Sequence, residues 1–338
     1  MAKRKKKSTT LGLDLGTYAV KAVEVARSGE ELTVTGYSYE PVTDVTQYDE
    51  VIKNVIAAGG FKLGKVKVVV GFSGRSTLVQ TVTMNQDRLA DLDVAMIEEA
   101  EKYIPYDISE AQIDYHVFDQ GGSPQVKVLL VAVRQQDIED KLEILFRAGV
   151  TPSVIDVELV ALANAYETAN VGAFFQGEGG SVALVDFGST KTLITVTDGE
   201  RNVFREFPLG GTALTEMVAQ RIGGNMTEAE TVKCAPGDQM DVVKDAVYPG
   251  IEDIAGEVRS CVDSFKITGG RAPDLVLLSG GLVAFPGVTP LFGRLTRMDA
   301  RIFDSFGSVP AGDMEDEFLR KHAHEFPVAF GLACHARD

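Results

Sequence analysis

The sequence lacks the features that mark secreted, membrane-spanning and zinc-binding proteins. Its three cysteines form no CxxC pair and are odd in number, which argues against a disulfide framework and fits a reducing compartment. No stretch of about 18 apolar residues occurs, and no apolar segment of signal-peptide length follows the basic N-terminus. We therefore expect the chain to remain in the cytoplasm without crossing a membrane.

Histidine and basic side chains are also scarce. The chain has four histidines, and His322 and His324 lie in a charged segment without nearby cysteine, so a metal site there is not expected. Five of the 33 basic residues cluster at positions 3–7, which leaves 28 basic against 49 acidic side chains. Such an acidic surface repels a phosphate backbone, so nucleic acid is not an expected partner. Residues 1–9 are predicted to form a flexible basic arm, with weak attraction to an anionic membrane surface as the alternative.

What the chain does have is length, apolar content and an internal repeat. Its 338 residues are 45% apolar, enough for two lobes of about 150 residues, each with its own core. The pattern of three short strands joined by tight turns occurs twice, once in each half of the chain. The predicted strands are 11–15, 19–26 and 32–38 in the first half, and 182–187, 192–197 and 203–207 in the second.

Each copy of the repeat has an Asp at a strand end, followed at once by a turn of Gly and a hydroxyl residue. The sequence DLGT at 14–17 aligns with DFGS at 186–189, and a lysine follows closely in both. Glycine lets the backbone approach an anion, amides and hydroxyls donate to phosphate oxygens, and an Asp carboxylate can hold hydrated Mg²⁺. No GxxxxGK[ST] loop occurs, so this is not a P-loop. Two such turns predict a clamp around one polyphosphate.

The two turns, followed by DLVLLSGGLVAFPGV at 274–288, resemble the superfamily of actin, sugar kinases and heat-shock chaperones. The resemblance implies an α/β, actin-like ATPase fold with two lobes, duplicated ribonuclease H-like cores, and ATP with Mg²⁺ bound between them. It implies that Asp14 and Asp186 hold the magnesium through water. The nucleotide-binding residues that it implies are Asp14, Gly16, Thr17, Tyr18, Lys21, Asp186, Gly188, Ser189, Thr190, Lys191, Gly210, Gly211, Glu230, Lys233, Gly280, Gly281, Leu282 and Pro286.

Three of the implied roles have alternatives in ordinary helix chemistry. Glu158, at the start of a predicted helix, sits where related ATPases place a group that positions the attacking water; the alternative is a favourable charge at a helix N-terminus. Glu230 and Lys233 are three positions apart on one helix face, where the resemblance implies contacts to ribose and adenine and the alternative is a surface ion pair.

A strand–helix–strand–strand–helix pattern interrupts the first lobe. Its first helix carries Leu92, Met96, Ala100 and Tyr103 at helical spacing, and a continuous apolar strand follows at 126–133. The insert resembles the small subdomain of the division protein FtsA and of the PilM family of type IV pilus assembly proteins. The stretches EEAEKYIPY, VIDVELVALANAY, ALVDFGSTKT and GGLVAFPGV are most similar to the PilM family, and the likeness covers nearly the whole chain. The predicted domains are a tail (1–9), the first core (10–80 and 151–180), the inserted FtsA/PilM-type small subdomain (81–150), the second core (181–210 and 271–338) and an upper subdomain (211–270).

The PilM resemblance implies a cytoplasmic protein, peripheral at the inner face of the inner membrane, that binds ATP and the N-terminal cytoplasmic peptide of the membrane protein PilN. Other platform proteins or motor ATPases are further implied partners. The hypothetical peptide groove is bordered by Tyr103, Ile104, Pro105 and Tyr106, with a helix end and core packing as the alternative. We expect ATP binding with slow or partner-dependent hydrolysis. The alternatives are an FtsA-type division or secretion scaffold, a small-molecule kinase of the same superfamily, and a docking module without nucleotide.

Overall fold

The computed structural model describes residues 7–29, 31–74, 76–118, 124–169, 180–307, 309–310 and 317–335. The strands are β1 (Lys7–Leu15), β2 (Ala19–Ser28), β3 (Glu31–Pro41), β4 (Lys67–Phe72), β5 (Leu78–Asn85), β6 (Ala111–Val117), β7 (Gln125–Arg134), β8 (Val154–Val157), β9 (Val182–Phe187), β10 (Thr192–Thr197), β11 (Asn202–Phe207), β12 (Leu275–Gly280) and β13 (Asp299–Ile302). The α-helices are α1 (Tyr48–Ala58), α2 (Leu92–Ala100), α3 (Gln135–Arg147), α4 (Glu158–Thr168), α5 (Gly211–Ile222), α6 (Met226–Cys234), α7 (Met240–Ile267), α8 (Val288–Thr296), α9 (Glu317–His322) and α10 (Pro327–Ala333).

Two five-stranded sheets share one topology. Their strand orders are β3-β2-β1-β4-β8 and β11-β10-β9-β12-β13. In both sheets the first three strands form an antiparallel meander and the last two join in parallel. Parallel strands need a crossover, and helices supply it in each lobe. The duplicated topology confirms the predicted actin-like α/β fold with two similar cores.

One hydrophobic cluster is shared by the two sheets. Helices α4 and α10 pack closely on each other, α10 lies on β1, β2 and β4, and α4 also contacts β10 of the second sheet. Fully buried Phe330 of α10 belongs to this cluster, which joins Val69 of the first sheet to Leu184 and Leu277 of the second. Because apolar burial is the main favourable term in folding, this cluster ties the two lobes together.

The third sheet, in the order β5-β7-β6, is antiparallel and carries α2 on one face. Met96 of α2 is fully buried against Val128 and Leu130 of this sheet. After β7 the chain returns through α3, whose buried Leu145 packs with Leu11 and other residues of the first lobe. The inserted small subdomain is therefore a small sheet with its own core.

The structure corrects three local predictions. Residues 7–9, assigned to the flexible arm, begin β1, whereas residues 1–6 lie outside the described residues. Helix α2 ends at Ala100, so Tyr103 lies beyond it in a turn rather than on its apolar stripe. Helix α4 begins at Glu158 rather than near Asp156, because Val154–Val157 pairs with β4 as strand β8.

Along the described residues, none of the helices combines the length and apolar content that crossing a membrane requires.

Candidate functional site

The first carboxylate of the site stands at the end of β1. The β1–β2 register sets Asp14 opposite Lys21, and the Lys21 Nζ donates to the Asp14 Oδ2 at 2.8 Å. Both side chains are mostly buried. Burial alone would lower the pKa of Lys21, but the negative charges of Asp14 and Asp186 outweigh it and raise that pKa. Lys21 is thus a cation that is paired with Asp14 and lies within electrostatic reach of Asp186.

The second carboxylate stands at the matching place in the other lobe. Asp186 of β9 lies opposite Ser279 of β12, and the Ser279 hydroxyl donates to the Asp186 Oδ1 at 2.7 Å. Burial raises the pKa of Asp186 to about 6, and the opposing effects of Lys21 and of the Ser279 hydrogen bond do not cancel it. A buried carboxylate whose charge is incompletely compensated suits a cation.

The two turns after these carboxylates need glycine for the same physical reason. A Cβ on Gly16 would lie 2.7 Å from the carbonyl oxygen of Ala19, and a Cβ on Gly188 would lie 2.8 Å from that of Lys191. Each clash joins the glycine to the carbonyl three positions later, so both turns have the same tight shape. Thr17 and Thr190 are exposed beside the glycines. The turns therefore present backbone and hydroxyl groups to a ligand.

The second turn is fastened to the start of α5. The amide of Gly211 donates to the Gly188 oxygen at 2.9 Å, and the amide of Thr212 donates to the Ser189 oxygen at 2.8 Å. The hydroxyls of Ser189 and Thr212 also hydrogen-bond at 2.8 Å. Gly210 is the residue before this helix. The first two amides of α5 are thus used to hold the second turn against the start of the helix.

The third motif that carries the resemblance, the glycine pair in the stretch at 274–288, packs directly on the second turn. Gly280 has a φ of 84°, in the region that favours glycine, and a Cβ there would lie 2.4 Å from the Phe187 oxygen. Gly281 then begins a short 3₁₀ turn. The Leu282 side chain is buried in the second-lobe core, so this residue offers only its main chain to a ligand, while Pro286 is exposed.

The two residues predicted to contact ribose and adenine, Glu230 and Lys233, form an ion pair in the second lobe. The buried Lys233 Nζ lies 2.7 Å from the Glu230 Oε2 and donates to the Thr215 hydroxyl at 2.8 Å and to the Gly211 oxygen at 3.2 Å. Burial raises the pKa of Glu230, but Lys233 outweighs this and lowers it overall. Lys233 therefore holds α6 on α5 and keeps Glu230 ionised.

Tyr18 of the first lobe lies near charged groups of the second lobe. This first-lobe side chain is half exposed. Burial and the charges of Glu230 and Cys234 in the second lobe raise the pKa of its hydroxyl. A tyrosine from one lobe thus lies within electrostatic reach of the predicted ribose-binding helix of the other.

Glu158 and Lys191 form an ion pair between the two lobes. The Lys191 Nζ lies 3.3 Å from the Glu158 Oε2 and 3.2 Å from the Glu206 Oε2, and it also hydrogen-bonds to the Ser73 hydroxyl. Glu158 is buried, and Lys191 is mostly buried. The sequence pattern did not identify Ser73, Glu206 or Ser279 as parts of the site. The only local signal for Ser73 is its place in GFSG just after the buried strand β4.

The donor set fits a magnesium ion that keeps most of its water. In the described part of the chain, no three His, Cys, Asp or Glu side chains cluster closely enough to hold a metal directly. Asp14 and Asp186 offer two carboxylates from opposite lobes, and Mg²⁺ commonly binds proteins through one or two carboxylates plus substrate phosphates. The structure brings Asp14 and Asp186 within electrostatic reach of Lys21, and their nucleotide roles stay predictions.

The four predicted partner residues divide into three environments. Pro105 and Tyr106 line a pocket of about 290 Å³ together with Ser76, Arg134 and Asp137. The Tyr106 hydroxyl donates to the Ser76 oxygen at 2.8 Å, and the Arg134 guanidinium lies 4.6 Å from the centre of the Tyr106 ring. Ile104 packs on the core of the inserted sheet, and Tyr103 is 52% exposed outside the pocket lining. The structure thus places two of the four residues at a pocket.

Comparison with known proteins agrees with this architecture. The family model described as Type IV pilus assembly protein PilM matches residues 12–337. A solved chain from a PilM–PilN type IV pilus biogenesis complex is 24% identical, with a TM-score of 0.81 over 96% of this chain and 97% of that one.

Two more distant structures share the fold. The ethanolamine utilization protein EutJ from Carboxydothermus hydrogenoformans is 16% identical, with a TM-score of 0.53 over 98% of this chain and 90% of that one. A diol dehydratase-reactivating factor in nucleotide-free form is 10% identical, with a TM-score of 0.55 over 96% and 99%. The two-lobed architecture is therefore common to proteins of quite different sequence.

Proposed function

Because the chain belongs to the PilM family of type IV pilus assembly proteins, we propose that it is an ATP-binding scaffold of the pilus assembly platform. It acts as a peripheral protein at the cytoplasmic face of the inner membrane, where its nucleotide state alters the binding of the cytoplasmic N-terminus of PilN. The observation that carries the nucleotide proposal is the duplicated site: each lobe contributes one buried carboxylate and one equally tight glycine turn, and Lys21 lies within electrostatic reach of both carboxylates.

Each lobe supplies half of the proposed clamp. Asp14 and Asp186 hold a hydrated Mg²⁺, which neutralises phosphate charge when bound. The turns at Gly16 and Gly188 bring main-chain amides to the phosphates, and the third motif at Gly280 borders the adenosine. Lys21 holds the Asp14 carboxylate in position through its 2.8 Å contact. Closure of both halves on one ligand explains why the pattern occurs twice.

Calorimetric titration with Mg-ATP tests the clamp. The wild-type chain should bind saturably, and Asp186→Ala should lose binding while remaining folded. Asp299→Ala is the matched control, because it removes an exposed carboxylate from the same sheet, paired with Arg301 rather than directed to the cleft. No binding by folded wild-type protein would contradict the proposal and leave a docking scaffold without nucleotide function.

The pocket beside the inserted sheet is the proposed site for the PilN peptide. The PilM chain with the similar fold was solved with PilN. An extended peptide gains affinity from a few anchors and from main-chain hydrogen bonds. Tyr106 and Pro105 offer apolar surface, while Arg134 and Asp137 offer both charges at the same pocket. The pocket therefore has the mixed chemistry that a short peptide needs.

Tyr106→Ala should abolish binding of a synthetic PilN N-terminal peptide and leave Mg-ATP binding unchanged. Tyr106→Phe keeps the ring under Arg134 but loses the hydrogen bond to Ser76, so we expect an intermediate affinity. Phe146→Ala is the matched control, because Phe146 is an exposed aromatic residue near the far end of α3. Unchanged peptide affinity in Tyr106→Ala would exclude this pocket.

The short connection between β4 and β5 supports coupling between the two sites. Its Ser73 hydroxyl bonds to Lys191 at the cleft, and three positions later Ser76 lines the pocket and bonds to Asp137. Since coupling between binding sites is reciprocal, ATP and peptide must change each other's affinity by the same factor. Peptide titrations with and without Mg-ATP should show this factor in wild type and a smaller one in Ser73→Ala. Equal factors in both proteins would rule out this route.

A further inference from the structure

Lys191 is a lobe-bridging side chain with three partners. Lys191 lies just before β10 in the second lobe, yet its Nζ contacts Glu158 and Ser73 of the first lobe. Glu206 of the neighbouring strand β11 holds the same Nζ from within the second lobe at 3.2 Å. The ammonium group therefore forms one ion pair within its own lobe, with Glu206, and one across the lobes, with Glu158.

Glu158 packs closely on the main chain of Gly71. It is the first residue of α4, and its Cγ would lie only 3.1 Å from a Cβ added to Gly71. A second cation, the partly buried Lys141, donates to the Gly71 oxygen at 2.7 Å beside it. Burial alone would raise the pKa of Glu158, but the charges of Lys191 and Lys141 outweigh burial and lower it.

These contacts matter for chemistry at the proposed nucleotide site. In hydrolysis, the water oxygen bonds to the γ-phosphorus, and the bond from that phosphorus to the bridging oxygen breaks with its electron pair leaving on ADP. The water proton needs an acceptor, and a well-placed base contributes about 10²–10⁴-fold. A base is most effective when its lone pair is free and its pKa lies near the working pH. Glu158, paired with Lys191, meets neither condition.

We infer that Lys191 is a positioning residue that restrains hydrolysis, because it holds the Glu158 carboxylate in an ion pair across the lobes and away from its role as a proton acceptor. The inference rests on the proposed nucleotide function and deepens it: the same residues that assemble a nucleotide clamp also keep it in a binding rather than a turnover mode. Displacement of Lys191 would release Glu158 and convert the scaffold into an ATPase.

The test uses the full chain with Mg-ATP and measures binding by calorimetry and hydrolysis by phosphate release. At saturating Mg-ATP, the kcat of Lys191→Met should rise by at least about tenfold over wild type. Lys191→Arg retains the charge and should restore slow turnover. The double variant Lys191→Met/Glu158→Gln should lose the gain. Lys53→Met, which removes an exposed ion pair on α1, should behave as wild type.

The outcomes separate the inference from the function on which it rests. Failure of folded wild type to bind Mg-ATP overturns the proposed function itself. Wild-type binding with an unchanged or lower kcat in Lys191→Met overturns only the restraint, and a large loss of affinity in that variant identifies Lys191 as a phosphate ligand instead. If Lys191→Met does not fold, Lys191→Gln keeps a hydrogen-bonding group for Ser73 without the charge, and the same rise in kcat is required of it.

Discussion

Replacing Asp186 by asparagine should stabilise the nucleotide-free protein and abolish Mg-ATP binding. Asp186 is buried, and burial raises its pKa from 3.8 to about 6 in spite of Lys21 and Ser279. A tenfold change in an acid equilibrium corresponds to about 1.4 kcal/mol, so the ionised carboxylate costs the folded state about 3 kcal/mol. Asparagine removes this cost and still accepts from Ser279, but it buries an amide group. We therefore expect a net gain of about 1–3 kcal/mol in the free energy of unfolding.

The stability gain of Asp186→Asn should depend on pH in one direction only. A carboxyl group whose folded-state pKa lies above its unfolded value destabilises the fold once it ionises. For Asp186 the cost is fully present above pH of about 6 and is absent below about 4, where the group is protonated in both states. The advantage of Asp186→Asn should thus be largest at neutral pH and shrink as the pH falls through this window.

Denaturant unfolding of the nucleotide-free proteins at about pH 4, 5.5 and 7 measures the effect across this window. Asp14→Asn is the opposite control, because it leaves the mostly buried Lys21 without its 2.8 Å partner and should destabilise by about 3 kcal/mol at neutral pH. A gain in Asp186→Asn that is the same at every pH would refute the reasoning. So would a loss of stability in both variants.

Three further substitutions test the packing around the site, all by thermal denaturation. Gly188→Ala should destabilise by about 1–3 kcal/mol and weaken ATP binding, because its Cβ would lie 2.8 Å from the Lys191 oxygen; an unchanged melting temperature would show that the turn relaxes freely. Lys233→Met should cost about 2 kcal/mol, since it removes a buried cation with two contacts to α5 and one to Glu230 within α6; no loss would make that network dispensable. Phe330→Ala should cost about 3–5 kcal/mol from the core shared by both lobes, and a cost typical of a surface site would contradict that assignment.

The strands of the second lobe illustrate what could be predicted. The expected strands 182–187 and 192–197 coincide with β9 and β10, and 203–207 lies within β11. Their apolar runs are bounded by turn residues, so the signal is contained in a few consecutive positions. Helix boundaries were less well predicted. The start of α4 depends on the pairing of β8 with β4, a partner more than 80 positions earlier in the chain, as the Val69–Val154 pair shows.

The candidate site likewise contains some features that the sequence predicts and others that only the packing of the elements determines. The sequence by itself determined the two Asp-Gly turns, because the clash that demands glycine at Gly16 and Gly188 arises within each turn, three positions along the chain. It also determined the repeat that predicts one ligand between two lobes. Only the tertiary structure decided that Lys191 forms an ion pair with Glu158, that the Ser279 hydroxyl donates a hydrogen bond to Asp186, and that the Leu282 side chain lies in the hydrophobic core. These contacts join side chains from different elements, and an ion pair or a buried position is chosen by how the elements pack rather than by residue type.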